Sequence, residues 1–255
     1  MELNLINLSE TSSTNSYLAR IAAVSPHGTV VAARTQTAGR GQRGNSWESE
    51  PGKNVTFSLL LKDTGVMPAN QFALSEACAV GVARVLERYI GGAAVKWPND
   101  IYYGDSKICG MLIEHSLSGG RIDYTIAGIG INVNQTVFLS DAPNPVSMAL
   151  VAGREFGTRE VLESVCREIL RLCATLPSGA AALHEEFLDR LYRRCGFHTY
   201  RSSIESESAD GKETVPAGAE FEAEIMDVAS DGIISLRTKT GGVYRFAFKE
   251  VAFVI

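Results

Sequence analysis

The amino-acid sequence predicts an α+β protein, with a mixed, largely antiparallel sheet flanked by helices and a small β unit at the C-terminal end. Residues 68–90 place apolar side chains at helical spacing and end at two glycines. Three β-rich runs separated by Gly-Asp and Gly-Gly turns follow, a pattern typical of consecutive antiparallel strands. After Gly196, short strand-like runs alternate with tight turns, which predicts a five-stranded barrel or half-barrel.

The composition sets the class of protein. A chain of 255 residues that is 45% hydrophobic can form a large domain with a small one beside it, and we expect these to be residues 1–195 and 196–255. The formal net charge of −5 argues against nucleic acid as a partner. The sequence has neither a signal peptide nor an apolar run of about 18 residues, so we expect a cytoplasmic protein that does not enter a membrane. The five cysteines are scattered and unpaired with histidine, so no metal site is expected.

The remaining elements follow the same patterns. A hydroxyl-rich N-cap predicts a first helix from about residue 14 to 23. Strand-like runs cover residues 29–34 and 55–61. After the long helix come the runs "AAVKWPNDIYY", "KICGMLIEHSLSGG" and "RIDYTIAGIGINVN", and then helices over residues 158–176 and 180–193. Within the terminal unit, the acidic stretch 203–218 contains almost nothing to bury, and "EFEAEIMDV", "GIISLRTK" and "GVYRFAFKEVAFVI" are the strand-like runs.

The stretch "TQTAGRGQRGNSW", residues 35–47, connects two predicted strands. Its glycines permit positive φ and a close approach of backbone N–H groups to an anion, and Arg40 and Arg43 offer paired donors for a carboxylate or phosphate. A solvated surface loop and an Arg-Gly nucleic-acid-binding segment are the alternatives. From composition alone, these three interpretations stay open.

Three further stretches have two interpretations each. "KWPND", residues 96–100, is either a turn stabilised by its Asn and Asp side chains or part of a catalytic site. Lys107 is either a solvated lysine at a strand edge or a cation facing a ligand at the end of an apolar strand. "AGIGINVN" is either a glycine-relieved strand crossing or a surface that a flat ligand approaches. The four histidines and the serines form no evident nucleophilic triad, which leaves chemistry by positioning and positive charge, as in adenylyl transfer.

Taken together, "TSSTN", "TQTAGRGQRGNSW", "VKWPNDIYY", "KICGMLIE" and "GIGINVN" resemble, in order and separation, the biotin protein ligases, also called biotin-[acetyl-CoA-carboxylase] ligases. The resemblance covers residues 9–147 strongly. It implies a class II synthetase-like catalytic domain and, by position and pattern, an SH3-like C-terminal domain. Family members form biotinyl-5′-AMP from biotin and ATP with Mg²⁺, and then transfer biotin to one lysine of a biotin carboxyl carrier protein or domain.

The resemblance also implies roles for individual residues. Ser13, Thr14, Asn15 and Gln36 would bind the ureido group of biotin. Arg40 would orient the biotin carboxylate and the α-phosphate, Lys107 would neutralise charge during attack, and Asp100 would serve the acceptor lysine or the metal. The other expected binding residues are Gly39, Gly41, Gln42 and Arg43 in the loop, Trp47, Gly110, Gly128 and Gly130 around the biotin slot, and Asn132 at the adenine edge.

Two departures from the family pattern matter. Many relatives have arginine at the position of Gln42, so Arg40 or Arg43 would replace a phosphate contact made through that side chain. Some relatives carry an N-terminal winged helix-turn-helix, but here the first helix starts within the first fifteen residues, so we expect the short, ligase-only type without operator binding. The rival hypotheses are a lipoate-protein ligase and a non-catalytic Arg-Gly RNA-binding module. Family members often dimerise through sheet edges, so a homodimer is a further expectation.

Overall fold

The computed structural model describes residues 3–41, 46–139 and 144–255. Its main feature is a seven-stranded sheet with the order β1-β2-β3-β7-β6-β5-β4. The β1–β2 pair is parallel, and the other neighbouring strands are antiparallel. The seven strands are β1 (Asn4–Thr11), β2 (Thr29–Gln36), β3 (Val55–Lys62), β4 (Ala93–Lys96), β5 (Asp100–Tyr103), β6 (Ser106–Ser118) and β7 (Arg121–Ile131). This arrangement confirms the predicted mixed, largely antiparallel sheet.

Helices cover both faces of this sheet. The five helices are α1 (Thr14–Ile21), α2 (Phe72–Ile90), α3 (Met148–Ala152), α4 (Thr158–Cys173) and α5 (Ala180–Asp189). Successive residues of a strand point to opposite faces. On β3, Leu60 packs with Leu18 of α1 in one cluster, whereas Leu59 and Leu61 belong to the larger core that includes α2 and α4. Burial on both faces explains why residues 55–61 form an uninterrupted run with little alternation.

A second sheet follows the helices. It has five antiparallel strands in the order β13-β12-β11-β8-β14. The strands of this region are β8 (His198–Ser202), β9 (Ser206–Glu207), β10 (Thr214–Val215), β11 (Glu220–Val228), β12 (Ile234–Thr238), β13 (Val243–Phe246) and β14 (Val251–Phe253). We call this five-stranded unit the C-terminal sheet. The predicted β unit is confirmed, while the domain boundary between residues 195 and 196 stays a prediction.

Several local predictions differ from the structure. The N-terminal residues 4–11 form strand β1, although their polar composition gives no clear strand pattern. "AAVKWPNDIYY" is two strands joined by a turn at residues 97–99, and the last run also divides into β13 and β14. The helices predicted to reach residues 23, 176 and 193 end at residues 21, 173 and 189. The acidic stretch forms the hairpin β9–β10, which was not predicted, and of its residues 203–218 it buries only Ser208 and Val215, in line with the expectation that it contains almost nothing to bury.

Aromatic and arginine side chains join the C-terminal sheet to the rest of the chain. Trp97, which is 3% exposed, donates from Nε1 to the carbonyl oxygen of Gly232 at 2.9 Å. Its ring also packs edge-on against Phe248, with the centroids 5.4 Å apart. Arg193 and Arg194, which follow α5, donate to backbone carbonyls of the C-terminal sheet region at 2.8 and 3.0 Å. These contacts hold the C-terminal sheet beside the β4–β5 turn.

A partly buried histidine–carboxylate cluster lies at the same junction. His184 of α5 contacts Glu76 of α2 through Nδ1 at 2.7 Å and Asp227 of β11 through Nε2 at 3.5 Å. Burial by itself lowers the pKa of His184, but the hydrogen bond and charge of Glu76, together with Asp227, raise it on balance. Burial also raises the pKa of Glu76, although His184 opposes that effect. A raised folded-state pKa gives stability that is present at low pH and is lost as the pH rises through that pKa.

We therefore expect His184→Gln to lower the melting temperature by about 2–4 °C near pH 6, the shift that about 1 kcal/mol gives in a chain of this size. The difference from the wild type should shrink as the pH rises through the raised pKa of His184, because the wild-type imidazolium is then lost. Thermal melts over this pH range measure it. His198→Gln is the matched control, since His198 contacts the carbonyl oxygen of Cys195 and no carboxylate. A difference that grows with pH would contradict the assignment.

No helix in the described part of the chain is long and apolar enough to cross a membrane. The cytoplasmic location and the homodimer stay predictions.

Candidate functional site

A cleft of about 420 Å³ opens between the seven-stranded sheet and the C-terminal sheet. Residues of β3, β5, β6 and β7 line it from the first sheet, and the start of α1, the β2–β3 connection and β14 border it. Loop, helix and strand residues that are far apart in the sequence therefore face one space. Most of the residues selected from the sequence motifs lie around this cleft: Ser13, Thr14, Asn15, Gln36, Arg40, Gly41, Trp47, Asp100, Lys107, Gly110, Gly128 and Gly130.

Three glycines on neighbouring strands make part of the cleft wall flat. Gly110 of β6 is paired with Gly130 of β7, and a Cβ added to Gly130 would overlap the indole of Trp47. A Cβ on Gly110 would lie 3.0 Å from Trp47 Cζ3 and 3.1 Å from Lys107 Cε. A Cβ on Gly128 would overlap the amide of Asn15. Because these three positions have no side chain, the side chains of Trp47, Lys107 and Asn15 can lie directly against the strand backbone.

The polar end of the cleft is a hydrogen-bond network around the start of α1. Ser13 is the N-cap residue, and its side chain accepts from the N–H of Ser16. The backbone N–H and the hydroxyl of Thr14 donate to Gln36 Oε1 at 2.7 and 3.1 Å. Since the Gln36 oxygen is used in this way, its Nε2 group is the part of the side chain that can donate to a ligand.

Asn15 is held by three neighbours. Its Nδ2 donates to the Leu112 carbonyl at 3.2 Å and to Glu114 Oε2 at 2.7 Å. Its Oδ1 accepts from the hydroxyl of Ser58, which is fully buried on β3. With both amide hydrogens donated within the protein, Asn15 is a rigid wall of the cleft whose oxygen keeps one acceptor position.

Arg40 lies beside this network. Its Nη2 donates to Glu114 Oε2 at 3.1 Å, and both side chains are nearly half exposed. An exposed ion pair of this kind contributes little to stability. A carboxylate or phosphate that enters the cleft can therefore replace Glu114 at little cost, and the Arg40 guanidinium matches the two oxygens of such a group.

Lys107 occupies the middle of the site at the start of β6. Its Nζ forms an ion pair with Asp100 Oδ1 at 2.8 Å and lies 5.9 Å from the centre of a Trp47 ring. The backbone N–H of Lys107 donates to the Asn144 carbonyl, which fixes the start of the strand. The structure thus supports the interpretation of Lys107 as a cation facing the cleft. Asp100 and Trp47 fix the position of its ammonium group.

Two buried polar atoms near the site lack a hydrogen-bond partner among the described residues. They are Nε1 of Trp47, which lines the cleft, and Oδ1 of Asn132, which directly follows β7 but is not among the lining residues. Asn132 is 3% exposed, and its Nδ2 donates to the Val146 carbonyl at 3.1 Å. An unsatisfied buried acceptor is costly in a protein interior. A ligand that brings an N–H donor to Asn132 would remove that cost.

The loop that carries Arg40 is described in part. Trp47 donates its backbone N–H to the Gly39 carbonyl at 3.1 Å, and Arg40 forms a bridge with Ser46, so the two ends of the loop meet. A Cβ on Gly39 would lie 2.7 Å from the Trp47 carbonyl oxygen, which explains glycine at that position. Gln42 and Arg43, which were expected to contact phosphate, lie outside the described residues.

Several residues that line the cleft or support its lining were not selected from the sequence. Ser58 and Glu114 do not line the cleft but contact Asn15 and Arg40, which do; Ser58 was hidden within an apolar strand, and Glu114 ended a motif without a stated role. Lys96, Lys249 and Phe253 line the cleft itself. Lys249 and Phe253 belong to the region of the C-terminal sheet. The local sequence does not predict how this sheet packs against the seven-stranded sheet. Among the described residues, no group of three or more His, Cys, Asp or Glu side chains is arranged to hold a metal ion.

Comparison with known proteins supports this description. The model of the biotin/lipoate A/B protein ligase family matches residues 8–132. The bifunctional ligase/repressor BirA of Bacillus subtilis is 36% identical over 147 residues, which are 55% of this chain and 44% of that protein. The chain therefore matches less than half of the length of that relative.

Two further comparisons cover more of the chain. A biotin protein ligase from Aquifex aeolicus, solved with biotin and ATP, has a TM-score of 0.75 at 24% identity and covers 98% of both chains, which shows a shared fold. The biotin–[acetyl-CoA-carboxylase] ligase of Paracoccus denitrificans is 31% identical over 194 residues, which are 73% of this chain and 80% of that protein. On this similarity, the chain belongs to the biotin protein ligase family.

Proposed function

We propose that this protein is an ATP-dependent biotin ligase that forms biotinyl-5′-AMP and then transfers biotin to a lysine of a biotin carboxyl carrier protein. The observation that carries the proposal is the arrangement of Arg40 and Lys107 beside the glycine-floored cleft, with the Gln36 amide at its polar end. The Paracoccus denitrificans relative is named for this activity, and the Aquifex aeolicus structure contains biotin and ATP.

In this proposal the bicyclic ring system of biotin lies against Gly128 and Gly130, where the wall has no side chains. Gln36 Nε2 donates to the ureido carbonyl, and Asn15 Oδ1 accepts from a ureido N–H. These groups match a ligand with one carbonyl acceptor and two N–H donors. Ser13 and Thr14 act by fixing the start of α1 and the Gln36 side chain.

The first reaction step joins biotin to the α-phosphorus of ATP. A carboxylate oxygen of biotin forms a bond to this phosphorus, the bond to the bridging oxygen of the β-phosphate breaks, and pyrophosphate leaves with the electron pair. Arg40 holds the carboxylate next to the α-phosphate, and Lys107 stabilises the negative charge of the transition state. Asp100 positions Lys107 through their 2.8 Å ion pair.

Two groups would take the nucleotide and its metal ion: Oδ1 of Asn132 and the carboxylate of Asp100. The adenine amino group would donate to the unsatisfied Oδ1 of Asn132. Magnesium usually keeps several waters and binds one or two carboxylates together with substrate phosphates. Asp100 is the carboxylate that lines the cleft within the described residues, so it would bind the ion, whose charge offsets that of the phosphates.

The second step uses the mixed anhydride. The neutral amine of the acceptor lysine attacks the biotinyl carbonyl carbon and an amide bond forms. The bond from this carbon to the phosphate oxygen breaks, AMP leaves with the electron pair, and the nitrogen loses a proton to solvent. Arg40 and Trp47 both line the cleft, so these two side chains would keep the adenylate in place until the carrier arrives.

The direct test is incubation of the protein with biotin, MgATP and a purified biotin carboxyl carrier domain. We expect the carrier to gain the mass of one biotin and, without carrier, pyrophosphate release to accompany biotinyl-5′-AMP formation. The matched reaction contains lipoate in place of biotin. Transfer of lipoate without transfer of biotin would overturn the proposal in favour of a lipoate ligase.

Arg40→Ala should weaken biotin binding by about 10- to 100-fold, since a hydrogen bond to a charged group contributes about 1.5–3 kcal/mol. The adenylate should also escape into solution, because the side chain that holds its phosphate is gone. Calorimetry measures the affinity, and chromatography of the filtrate measures free biotinyl-5′-AMP. Arg159→Ala is the control, since the side chain of this arginine is 81% exposed and, within the described residues, forms its ion pair with Glu163 on the same helix. Equal biotin affinity in the Arg40 variant and the wild type would contradict the assigned role.

A further inference from the structure

The cleft has an excess of positive charge although the chain as a whole is acidic. Its lining within the described residues includes Arg40, Lys96, Lys107 and Lys249, against the single carboxylate of Asp100. The net charge of the full chain is −5. A local field opposite in sign to the net charge concentrates an anionic ligand at the site. Arg40 and Lys107 account for a carboxylate and one phosphate, which leaves part of this charge without an assigned use.

The surroundings of Lys96 differ from those of Arg40 and Lys107. Its Nζ lies 5.0 Å from the ring centre of Tyr102 and 5.1 Å from that of Phe253. Within the described part of the chain it has no ion pair or hydrogen bond, whereas Arg40 and Lys107 each contact a carboxylate. The two rings hold the ammonium group without neutralising it.

The carboxylate opposite Lys96 is already paired. Lys96 lies across from Asp100 in the β4–β5 hairpin, but the Asp100 carboxylate forms its ion pair with Lys107, at 2.8 Å. Lys96 is partly buried, lines the cleft and has no ion pair within the described residues, so it is suited to an anionic ligand.

We propose that Lys96 binds the β- and γ-phosphates of ATP and thereby positions pyrophosphate as the leaving group. This inference rests on the proposed adenylation reaction. When the bond between the α-phosphorus and the bridging oxygen breaks, the electron pair moves to pyrophosphate, whose charge rises as it leaves. A cation already fixed at that end of the triphosphate stabilises this charge without having to reorganise.

Through its contact with Lys96, the C-terminal sheet would contribute to the first reaction step. Phe253 of β14 supplies one of the two rings that hold the Lys96 side chain, and Tyr102 of β5 supplies the other. Pyrophosphate has left before the carrier lysine reacts. Lys96 therefore acts in adenylate formation and has no β- or γ-phosphate to bind in the transfer step.

The test separates the two half-reactions. Lys96→Met keeps most of the side-chain length and its ring contacts but removes the charge. We expect about a tenfold rise in KM for MgATP and a similar loss of affinity for magnesium pyrophosphate measured by calorimetry, since one charge-assisted contact is lost. Transfer of biotin from added biotinyl-5′-AMP to the carrier should keep its wild-type rate. Lys96→Arg should restore most of the pyrophosphate affinity.

Lys239→Met is the matched control, because Lys239 also lies over an aromatic ring, 5.6 Å from the centre of Phe197, but on the surface. Two results would overturn the inference: an equal loss of both half-reactions, or a lower melting temperature with unchanged pyrophosphate affinity. Either result would make Lys96 a structural link between the two sheets. If the wild type fails to form biotinyl-5′-AMP, the proposed function fails. If it succeeds and Lys96→Met binds pyrophosphate equally well, the inference alone fails.

Discussion

Replacement of Lys107 by methionine is expected to slow biotinyl-5′-AMP formation by about 10²- to 10³-fold, the loss that follows removal of one preorganised transition-state donor. Its ammonium group is fixed by Asp100 at 2.8 Å and lies over Trp47, so it faces the cleft without having to move when substrates bind. Single-turnover measurement of pyrophosphate release gives the rate directly. Biotin affinity should change much less, because Arg40 and Gln36 remain.

The same substitution leaves Asp100 without its cationic partner, and an unpaired carboxylate would itself repel the phosphates. The double variant Lys107→Met with Asp100→Asn removes this repulsion. Asp100→Asn alone measures the cost of losing the proposed magnesium ligand. If the lost cation causes the defect, the double variant stays slower than this single variant. Recovery to within a few-fold of the wild type would contradict a catalytic role for Lys107. Lys53→Met is the control, since Lys53 pairs with the exposed Glu155 on the surface.

The sequence predicted an element of the fold where that element's own residues show a clear apolar period and a clear end. Helix α2 was predictable because its apolar face repeats at helical spacing over residues 72–90 and ends at Gly91, whose φ of 65° suits glycine. Strand β1 was not, because an edge strand with one partner is only half-buried and its residues 4–11 alternate weakly. The short helix α3 covers five residues, too few for a period to show.

The same distinction applies to the candidate site. The glycines and cations could be selected because their motifs are contiguous, and the structure brings Arg40, Lys107 and Gly128 around one cleft. Ser58 could not be selected, since a small polar residue within an apolar strand gives no signal until Asn15 and Thr14 are seen to contact it. Lys96 acquires its environment from Phe253, more than 150 residues away along the printed sequence. Such long-range contacts depend on how the two sheets pack.

Gly128→Ala is expected to weaken biotin binding by about 10²-fold and to lower the free energy of unfolding by about 1–3 kcal/mol, the usual cost of inserting a methyl group into a packed interior. The new Cβ would overlap Asn15 Oδ1, and the amide has nowhere to move because Ser58, Leu112 and Glu114 hold it. Either Asn15 leaves its partners unsatisfied or β7 shifts away from α1. Both outcomes change the wall that we propose contacts the ureido group. Calorimetry with biotin and chemical denaturation measure the two effects.

Gly157→Ala separates this effect from a general cost of replacing glycine. Gly157 has a φ of −70°, and an added Cβ would meet Glu160 Cβ at 3.6 Å, an ordinary contact. This control should bind biotin like the wild type. The double variant Gly128→Ala with Asn15→Ala should regain stability, because the overlapping amide is gone, but should not regain biotin affinity. Recovery of both would mean that the glycine serves packing alone and that the Asn15 oxygen has no part in recognising biotin.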